Sequence, residues 1–498
     1  MQSIAARLSA AGALERGAGS ASSFVRIAAA ISDEVRRGAL RAGDRLPSSR
    51  ALARELGVNR NTVIAAFDEL SAQGWVESRG AAGTFVTGDF GGARKHAPAA
   101  TRGLAARPGY TVRAIAPSEA PFGAPDALYQ LSAGVPDVRL FPHALLSRAY
   151  RRALRSRDGR RLLDYGSALG APRLRAAIAA FLRDSRGVPA TESNVLVTRG
   201  SQQAIDLAAR LLTKPGDTIA VEALGYRPAW RVFEEARARL APITLDDAGA
   251  VVDEVVALEP RCVYLTPHHQ YPTTVTLSPA RRMALLSHAA RMRFAVLEDD
   301  YDHEFHFEGR PVAPLAAHDP SGQVLYVGTL SKILAPGLRL GFVTGPEPII
   351  RALGALRGAL DRQGDHVLEC AVAELFEDGE VERHARKMRG IYRERRDALV
   401  DALARHLGGA LEVRVPDGGI TLWARVSSEI DLEAWCARAA AARVAFVPAR
   451  YFALDGRARP FVRLGFARHD EAELLDAVKR LKRALSTSRA TRAGRVAP

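Results

Sequence analysis

From Tyr129 to about Leu485, stretches with helical periodicity alternate with short apolar stretches, and this alternation constrains the fold more than any other feature. Five apolar stretches have the pattern of buried strands: VLVT, TIAVE, CVYLT, FAVLE and VLYVG, beginning at Val195, Thr218, Cys262, Phe294 and Val324. Strands that are each followed by a helix form a largely parallel sheet with helices on both faces. The sequence therefore predicts an α/β domain over residues 129–485.

The rest of the chain divides into three segments of different composition. Residues 24–87 are rich in predicted helix, residues 88–128 are rich in Gly, Ala, Pro and Arg, and residues 486–498 are mostly polar. We expect the second segment to be a flexible linker and the last to be a disordered tail. A length of 498 residues also favours more than one domain.

Composition argues against a membrane-spanning or disulfide-stapled protein. The chain has no run of about twenty apolar residues, and its first residues lack the apolar core of a signal peptide. Its three cysteines lie far apart and form neither a metal-ligand spacing nor a disulfide framework. We therefore expect a cytoplasmic protein with no membrane segment, and the sequence predicts no metal site.

The net charge of +15 indicates an acidic partner, such as nucleic acid. The charge does not locate the contact, because basic residues only slightly outnumber acidic ones between Phe24 and Thr87. Much of the excess lies in the arginine-rich run from Arg148 to Arg161, whose simplest interpretation is a solvated helix face.

Residues 24–87 have the pattern of two short helices joined by a tight turn. In GDRLPSSRALARELGV, Ser48 or Ser49 can cap a helix that Gly57 ends. The next stretch, NRNTVIAAFDELSAQGW, predicts an amphipathic helix with a polar first turn. In a helix-turn-helix, that turn faces base edges and phosphates, here through Arg60, Asn61 and Thr62.

The stretch from Trp75 to Val86 alternates around a glycine-rich tip, as a two-stranded wing does. With GDRLPSSRALARELGVNRNTV and GTFV, residues 24–87 resemble the winged helix of GntR-type regulators. The resemblance implies DNA contacts from the polar residues Arg45, Ser48, Arg50, Arg60, Asn61 and Thr62, with Gly83 in the wing tip. Local alternatives remain, since Ser48 could serve only as a cap and Arg45 could pair with an acid.

Lys332, in GTLSKILAPGLRLGF, follows a predicted strand and lies among small and hydroxyl-bearing residues. A lysine that is held beside an aldehyde and can lose its proton forms a Schiff base. Thr329, Ser331 and Arg339 could bind a phosphate close by. Taken alone, such a lysine is far more often a surface residue.

The stretch VLEDDYDHEF places acids at the carboxyl end of an apolar strand, where ligands bind in open α/β sheets. Pyridoxal 5'-phosphate needs an anion beside its pyridine nitrogen so that the ring acts as an electron sink. We favour Asp299 for the anion and Tyr301 as a donor to the ring's phenolic oxygen. The alternatives are a solvated strand end, or one of Asp300, Asp302 and Glu298.

Two further motifs are weaker. VLVTRGSQQAIDL predicts a strand, a glycine turn and a helix whose first N–H groups, at Gly200, Ser201 and Gln202, could bind phosphate. Many strand-to-helix turns carry Gly-Ser, so this signal is not specific. Tyr226, in EALGYRPAW, could stack on the cofactor ring, and TPHHQYPTT could line its oxygen edge.

Together these motifs resemble the fold-type I, aspartate aminotransferase-like proteins, which use pyridoxal 5'-phosphate, across residues 129–485. The resemblance implies that Lys332 forms the Schiff base, that Asp299 pairs with the pyridine nitrogen and that Arg339 binds phosphate. It also implies that Arg463, in FVRLGFA, binds a ligand carboxylate. Tyr165, in YGSALG, resembles a tyrosine that reaches the phosphate of the neighbouring subunit, which implies a homodimer.

Two turns depart from the aminotransferase pattern. Residues 271–274 read YPTT, where aminotransferases usually have NPTG; the tyrosine is similar to the HQYPTG of regulators and favours a sensor. Thr274 replaces the glycine of both patterns, so we expect a different backbone there. Ser167 and Ala168 replace the acid and proline of YGDP, and neither change removes a group that the cofactor needs.

A GntR-like winged helix joined by a linker to an aminotransferase-like domain is the architecture of the MocR/GabR family of regulators. The resemblance implies a regulator that binds double-stranded operator DNA and senses a small amine or amino acid, which exchanges with Lys332 on the cofactor. Transamination would be slow at most. The alternatives are an active aminotransferase that converts amino acid to 2-oxo acid and carries a DNA-binding domain, and a DNA-binding module on a scaffold that needs no cofactor.

Overall fold

The computed structural model describes residues 4, 6, 8, 22–88, 109–112, 126–132 and 134–493. The chain forms two compact units, Met1–Pro117 and Ser118–Pro498. Most of the predicted linker, and residues 494–498 of the predicted tail, lie outside the described residues. Among the described residues, no helix is both long enough and apolar enough to cross a membrane.

Over residues 22–88, the first unit has three α-helices followed by a two-stranded antiparallel ribbon: α1 (Ser23–Arg36), α2 (Ser49–Leu56), α3 (Arg60–Ala72), β1 (Val76–Ser78) and β2 (Thr84–Val86). Their apolar faces share one core, which includes Ile27, Ile31, Leu52, Leu56, Val63, Leu70 and Val86. The predicted helix-turn-helix and wing are therefore confirmed.

Local capping explains why α2 and α3 are separate helices. The Oγ of Ser48 accepts a hydrogen bond from the N–H of Ala51 at the start of α2. Gly57 ends α2 with φ 65, a left-handed conformation that glycine adopts without strain. Asn59 then caps α3 by accepting the N–H of Asn61 at 2.9 Å. These caps direct the polar first turn of α3 away from the core.

The second unit is built on a seven-stranded sheet in the order β4-β12-β11-β10-β9-β5-β6, after a short strand β3 (Tyr129–Gln130). All neighbours are parallel except that β12 is antiparallel to both of its neighbours. The strands are β4 (Val195–Thr198), β5 (Thr218–Glu222), β6 (Arg239–Ile243), β9 (Cys262–Leu265), β10 (Ala295–Asp300), β11 (Val324–Thr329) and β12 (Gly341–Thr344), and β7 (Leu245–Asp246) pairs with β8 (Gly249–Ala250).

Helices cover both faces of this sheet: α4 (His143–Arg155), α5 (Pro172–Arg186), α6 (Ser201–Leu212), α7 (Arg227–Glu235), α8 (Asp253–Leu258), α9 (Pro279–Met292), α10 (Glu347–Leu360) and α11 (His366–Glu377). The next helix, α12 (Glu380–Leu407), starts in a core of this sheet at Val381 and from Met388 onward packs into the core of the last part of the chain. Successive side chains of a strand point to opposite faces, so Leu196 and Val197 of β4 belong to different apolar cores. Burial on both faces explains the continuous apolar runs of the strands and confirms the predicted α/β class.

The last part of the chain adds a four-stranded antiparallel sheet in the order β13-β14-β17-β16. Its elements are β13 (Leu411–Val413), β14 (Thr421–Val426), α13 (Leu432–Ala441), β15 (Val444–Ala445), β16 (Val447–Pro448), β17 (Phe461–Gly465) and α14 (Glu471–Ala493), with β15 pairing with β3. Helix α14 extends past residue 485, so residues 486–493 are helical and not disordered as we predicted. They contain no glycine or proline, and their alanines and arginines favour helix.

Candidate functional site

A cavity of about 400 Å³ opens where the parallel strands β9, β10 and β11 end. Side chains from widely separated segments meet there, because parallel strands present their carboxyl ends at one edge of the sheet. The cofactor and ligand side chains that the sequence predicted line this cavity, except Tyr165; Gly200, predicted only for its backbone N–H, is not in the lining. The lining is Ser201, Gln202, Tyr226, Pro228, Thr266, Tyr271, Asp299, Tyr301, Thr329, Ser331, Lys332, Pro336, Arg339 and Arg463.

Lys332 follows β11, and its Nζ donates a hydrogen bond to the carbonyl oxygen of Gly134 at 2.6 Å. Burial, together with the nearby guanidinium of Arg463, lowers the pKa of Lys332 to about 8, against the opposing effect of Asp302 and Asp299. A lowered pKa leaves more of the amine neutral near pH 7, and the neutral amine is the nucleophile. Lys332 is therefore chemically suited to attack an aldehyde.

Asp299 lies near the end of β10 and is only 4% exposed. Its Oδ2 accepts a hydrogen bond from the Oη of Tyr264 at 2.7 Å, whereas its Oδ1 has no hydrogen-bond partner within the described part of the chain. Burial, with a contribution from Asp300, raises the pKa of Asp299 to about 7. A buried carboxylate with one free oxygen beside a cavity fits the charged N–H of a pyridinium ring.

The neighbouring carboxylates also have partners within the protein, although Asp300 Oδ1, like Asp299 Oδ1, has none among the described residues. Asp300 accepts the Oη of Tyr326 at 2.8 Å, and Asp302 lies 2.8 Å from His269 Nδ1. Glu298 accepts two backbone N–H groups at 2.7 and 3.0 Å. None of these three acids lines the cavity. The geometry thus favours Asp299 as the acid that binds a ligand inside the cavity.

Another part of the cavity has the features of an anion site. Gly200 precedes α6 with φ 76 and no side-chain cap, so the first N–H groups of the helix are free of caps. The guanidinium of Arg339 lies over Gly200, where an added Cβ would come within 3.0 Å of Nη2. Thr329 and Ser331 also line this cavity. A helix amino terminus, a guanidinium and hydroxyls together suit a phosphate group.

Arg463, on β17, is 2% exposed, and its Cζ lies 4.4 Å from the centre of the Tyr271 ring. Its Nη1 donates a long hydrogen bond to the carbonyl of Ser132 at 3.4 Å, and its Nε has no hydrogen-bond partner in the described residues. Tyr226 packs edge-on against Tyr271, with ring centres 5.4 Å apart. A buried cation beside aromatic rings fits the carboxylate of a small ligand.

Tyr165 is 74% exposed and lies outside the cavity, with the guanidinium of Arg362 4.4 Å above its ring. The exposed ring is compatible both with a role in a neighbouring subunit and with an ordinary surface position. Its contact with a partner's phosphate therefore stays a prediction.

In the YPTT turn, Thr274 has φ 65, in the region that glycine adopts most easily. Its N–H donates to the carbonyl oxygen of Gln270 at 2.7 Å, which closes the turn. The threonine thus adopts a left-handed conformation that is rare for a β-branched residue.

In the first unit, five of the six predicted DNA-contact residues are exposed, and Thr62 is half-buried. Ser48 does cap α2, which was its local alternative. Arg45 lies against the wing tip: an added Cβ on Gly83 would come within 2.8 Å of its Nε, and Gly83 has φ 112. Among the described residues, no ion pair between Arg45 and an acid is present. The wing tip and Arg45 therefore form one exposed basic surface.

Sequence reasoning missed two groups that hold the cavity's side chains in place. Tyr264 donates to Asp299, and the Gly134 carbonyl accepts from Lys332. Thr266, in the predicted TPHHQYPTT stretch, lines the cavity and binds Glu222 through both its N–H and its hydroxyl. Tyr264 sits in a buried apolar strand, where the pattern indicates a core residue. The contact through Gly134 uses a backbone carbonyl, which no residue pattern reveals.

Comparison with known proteins agrees with both units. Residues 24–86 match the bacterial regulatory proteins of the gntR family, and residues 128–481 match aminotransferase class I and II. The chain is 32% identical over 456 residues to the probable rhizopine catabolism regulatory protein MocR of Rhizobium meliloti, covering 91% of each chain. It is 32% identical to the HTH-type transcriptional regulator TauR of Rhodobacter capsulatus, covering 92% of this chain and 96% of that protein.

Among solved structures, the second unit is similar to the α-aminoadipate aminotransferase of Thermus thermophilus, complexed with N-(5'-phosphopyridoxyl)-L-leucine. The TM-score is 0.68 at 28% identity, and the match covers 74% of this chain and 94% of that one. A gntR-type domain and an aminotransferase domain on one chain, with regulators similar over nearly its whole length, identify its family. The chain belongs to the MocR family of regulators, whose members join a gntR-type DNA-binding domain to an aminotransferase class I and II domain.

Proposed function

We propose that this chain is a transcription regulator that binds pyridoxal 5'-phosphate in the cavity, with Lys332 attached to the aldehyde carbon, and that a small amine or amino acid displaces the lysine. One observation carries the proposal: Lys332 lines the same cavity as Asp299, whose Oδ1 has no hydrogen-bond partner among the described residues. The gntR-type unit would bind a double-stranded operator, and its affinity would depend on which amine occupies the second unit.

When bound, the cofactor supplies an aldehyde that condenses reversibly with amines and a ring that draws electrons from the attached carbon. Asp299 would hold the proton on the ring nitrogen, and Tyr301 and Tyr226 would contact the oxygen edge and the face of the ring. The phosphate would occupy the anion site formed by Arg339 and the residues Ser201, Gln202, Thr329 and Ser331. Each of these roles gives a polar group that lines the cavity a partner of complementary charge or hydrogen-bonding capacity.

Arg463 would orient the ligand by binding its carboxylate, because no carboxylate of the described residues forms an ion pair with this guanidinium. Once displaced, the free amine of Lys332 would again donate to the Gly134 carbonyl, as it does in the structure. Lysine displacement would therefore change contacts to the segment around Gly134, and this is where a ligand signal would begin.

We also propose that the chain acts as a homodimer in which Tyr165 of one subunit reaches the phosphate site of the other. The exposure of its ring and of the nearby Leu163, which is 71% exposed, supports this arrangement. Sedimentation equilibrium of the wild type should give a dimer. A monomer that retains full cofactor binding would disprove this assembly.

The proposed function is tested by adding amino acids and amines to cofactor-loaded protein while the cofactor's absorbance and operator binding are followed together. A compound that changes both, and that accumulates as a stable adduct, supports a sensor. Steady conversion of amino acid to 2-oxo acid at ordinary enzymatic rates would support the aminotransferase alternative instead.

Covalent attachment of the cofactor should become faster as the pH rises from about 6 to about 9. Asp299, with a pKa of about 7, ionises over the lower part of this range, and Lys332, with a pKa of about 8, loses its proton over the upper part. Both the carboxylate and the neutral amine favour attachment, so both titrations act in the same direction. Mixing cofactor-free protein with pyridoxal 5'-phosphate at a series of pH values measures the rate. A rate that falls with pH would contradict this assignment.

Arg45→Ala should weaken operator binding about tenfold at physiological salt and reduce the slope of log affinity against log salt by roughly one. The physical reason is that an exposed guanidinium at the wing tip can neutralise one phosphate. Fluorescence anisotropy with labelled operator at several salt concentrations measures both quantities. Arg36→Ala is the matched control, since Arg36 bonds Asp33 at 2.7 Å on α1, and it should change neither quantity by as much.

A further inference from the structure

Four histidine rings form a cluster beside the cavity. His268 and His269 follow β9, and His303 and His306 follow β10, the parallel neighbour of β9. The centre of the His268 ring lies 4.2 Å from that of His303, 4.3 Å from that of His269 and 6.0 Å from that of His306. The first three residues are buried and His306 is half-buried.

Several ring nitrogens of this cluster lack a protein partner. One nitrogen from each of His268, His269 and His306 lies within 4.8 Å of the other two. Over the described part of the chain, both nitrogens of His268, the Nε2 of His269 and the Nδ1 of His306 have no hydrogen-bond partner. Because buried polar atoms are nearly always bonded, these nitrogens call for a common partner that is not a side chain.

For His269 and His306, neighbouring groups fix which ring nitrogen carries a lone pair. Asp302 Oδ1 lies 2.8 Å from His269 Nδ1, so this carboxylate holds a proton on Nδ1 and leaves the lone pair on Nε2. The His306 ring hydrogen-bonds the backbone of Glu308, and its Nδ1 is the free nitrogen. Histidines that bind metals are oriented in this way by a carboxylate or carbonyl on the second nitrogen.

We propose that His268, His269 and His306 bind one divalent ion of the late first-row transition metals, with Zn²⁺ as the most suitable. Three imidazole nitrogens are a ligand set that Zn²⁺, Co²⁺ and Ni²⁺ accept. Zinc–nitrogen bonds of about 2.0–2.1 Å place tetrahedral ligands about 3.4 Å apart, so the rings must rotate inward from their present spacing. The fourth position is left for water or a small ligand.

Such an ion would connect the segment after β9 to the segment after β10, and both segments line the cavity through Tyr271 and Tyr301. Tyr301 already donates its Oη to the carbonyl oxygen of His269 at 3.0 Å. Metal binding would therefore stabilise this wall of the cavity. The prediction of no metal site rested on cysteine spacing, whereas these ligands come from histidines that are distant in sequence.

The test uses full-length, cofactor-loaded protein that has been treated with a chelator and then titrated with Co²⁺ or Zn²⁺. We expect one ion per chain, ligand-field absorption bands for Co²⁺ and a rise in melting temperature that the chelator reverses. His306→Gln should lower the affinity about 100-fold or more, and His268→Gln should do the same. His318→Gln, which changes an exposed histidine, is the matched control and should bind as the wild type does.

Two results would overturn the proposal. The wild type could bind no ion at an excess of Co²⁺, which would assign the free nitrogens to ordered water. Alternatively, both His306→Gln and His268→Gln could bind with wild-type affinity, which would place the ion elsewhere. Melting temperature and cofactor absorbance in chelator show whether each variant is folded, and His306 is the better site for a folded variant because its ring is only half-buried.

Discussion

Lys332→Ala should abolish covalent attachment of pyridoxal 5'-phosphate and, with it, the response of operator binding to amines. The Nζ of Lys332 is the amine that lines the cavity with a pKa lowered to about 8, so no other lysine is placed to replace it among the residues that line this site. Borohydride reduction followed by peptide mapping should find the cofactor on residue 332 of the wild type and on no peptide of the variant.

The response to ligand distinguishes a sensor from a passive scaffold in the same experiment. Lys332→Ala should still bind operator DNA, because the gntR-type unit has its own core, but its affinity should no longer change on adding an active amine. Lys214→Ala, which removes an exposed lysine, should behave as the wild type. If Lys332→Ala kept a full amine response, the proposed exchange at this lysine would be wrong.

Asp299→Asn should weaken binding of pyridoxal 5'-phosphate by roughly 100-fold, which corresponds to about 3 kcal/mol. The substitution removes the buried negative charge opposite the ring nitrogen, and losing one partner of a buried charge pair costs about 2–5 kcal/mol. The Oδ2 of Asp299 also accepts a hydrogen bond from the Oη of Tyr264. Part of the loss of cofactor affinity therefore comes from a changed orientation of the side chain at position 299. Equilibrium dialysis of the cofactor against variant and wild type measures the effect, and the absorbance of the bound cofactor should shift as the ring loses its proton.

Glu298→Gln is the matched control for this prediction. Glu298 is an equally buried acid on the same strand, but it accepts backbone N–H groups of Leu315 and Ala316 and does not line the cavity. Its substitution should lower the free energy of unfolding without a comparable loss of cofactor affinity. Equal losses of cofactor affinity in Asp299→Asn and Glu298→Gln would mean that the acids of β10 affect cofactor binding only by stabilising the fold. No single carboxylate would then bind the ring.

Secondary structure and fold class were readable from the sequence because they depend on local periodicity and on caps. Burial on both faces of the sheet demands a continuous apolar stretch, such as VLVT at Val195. The left-handed backbone that ends α2 favours a glycine, which is Gly57. The tail was predicted less well. Helix α14 continues to Ala493 because residues 486–493 lack a helix breaker, whereas their polar composition suggested disorder.

The choice among four adjacent acids, Glu298, Asp299, Asp300 and Asp302, shows where sequence reasoning ends. All four side chains can accept a pyridinium proton, and their spacing does not say which one faces the cavity. Of the four, Asp299 lines it, whereas Tyr326 bonds Asp300, His269 lies beside Asp302 and backbone N–H groups bond Glu298. These partners are distant in sequence or come from the backbone.

The sequence by itself determined the two-domain architecture, the family resemblance and the identity of Lys332, because motifs and periodicity are local properties of the chain. Only the tertiary structure decided that Lys332, Asp299 and Arg463 line one cavity, that Tyr165 does not, and that His268, His269 and His306 meet. The physical reason is that parallel strands gather the ends of distant segments at one edge of a sheet. Which side chains meet there, and which stay without a protein partner, follows from packing between those segments.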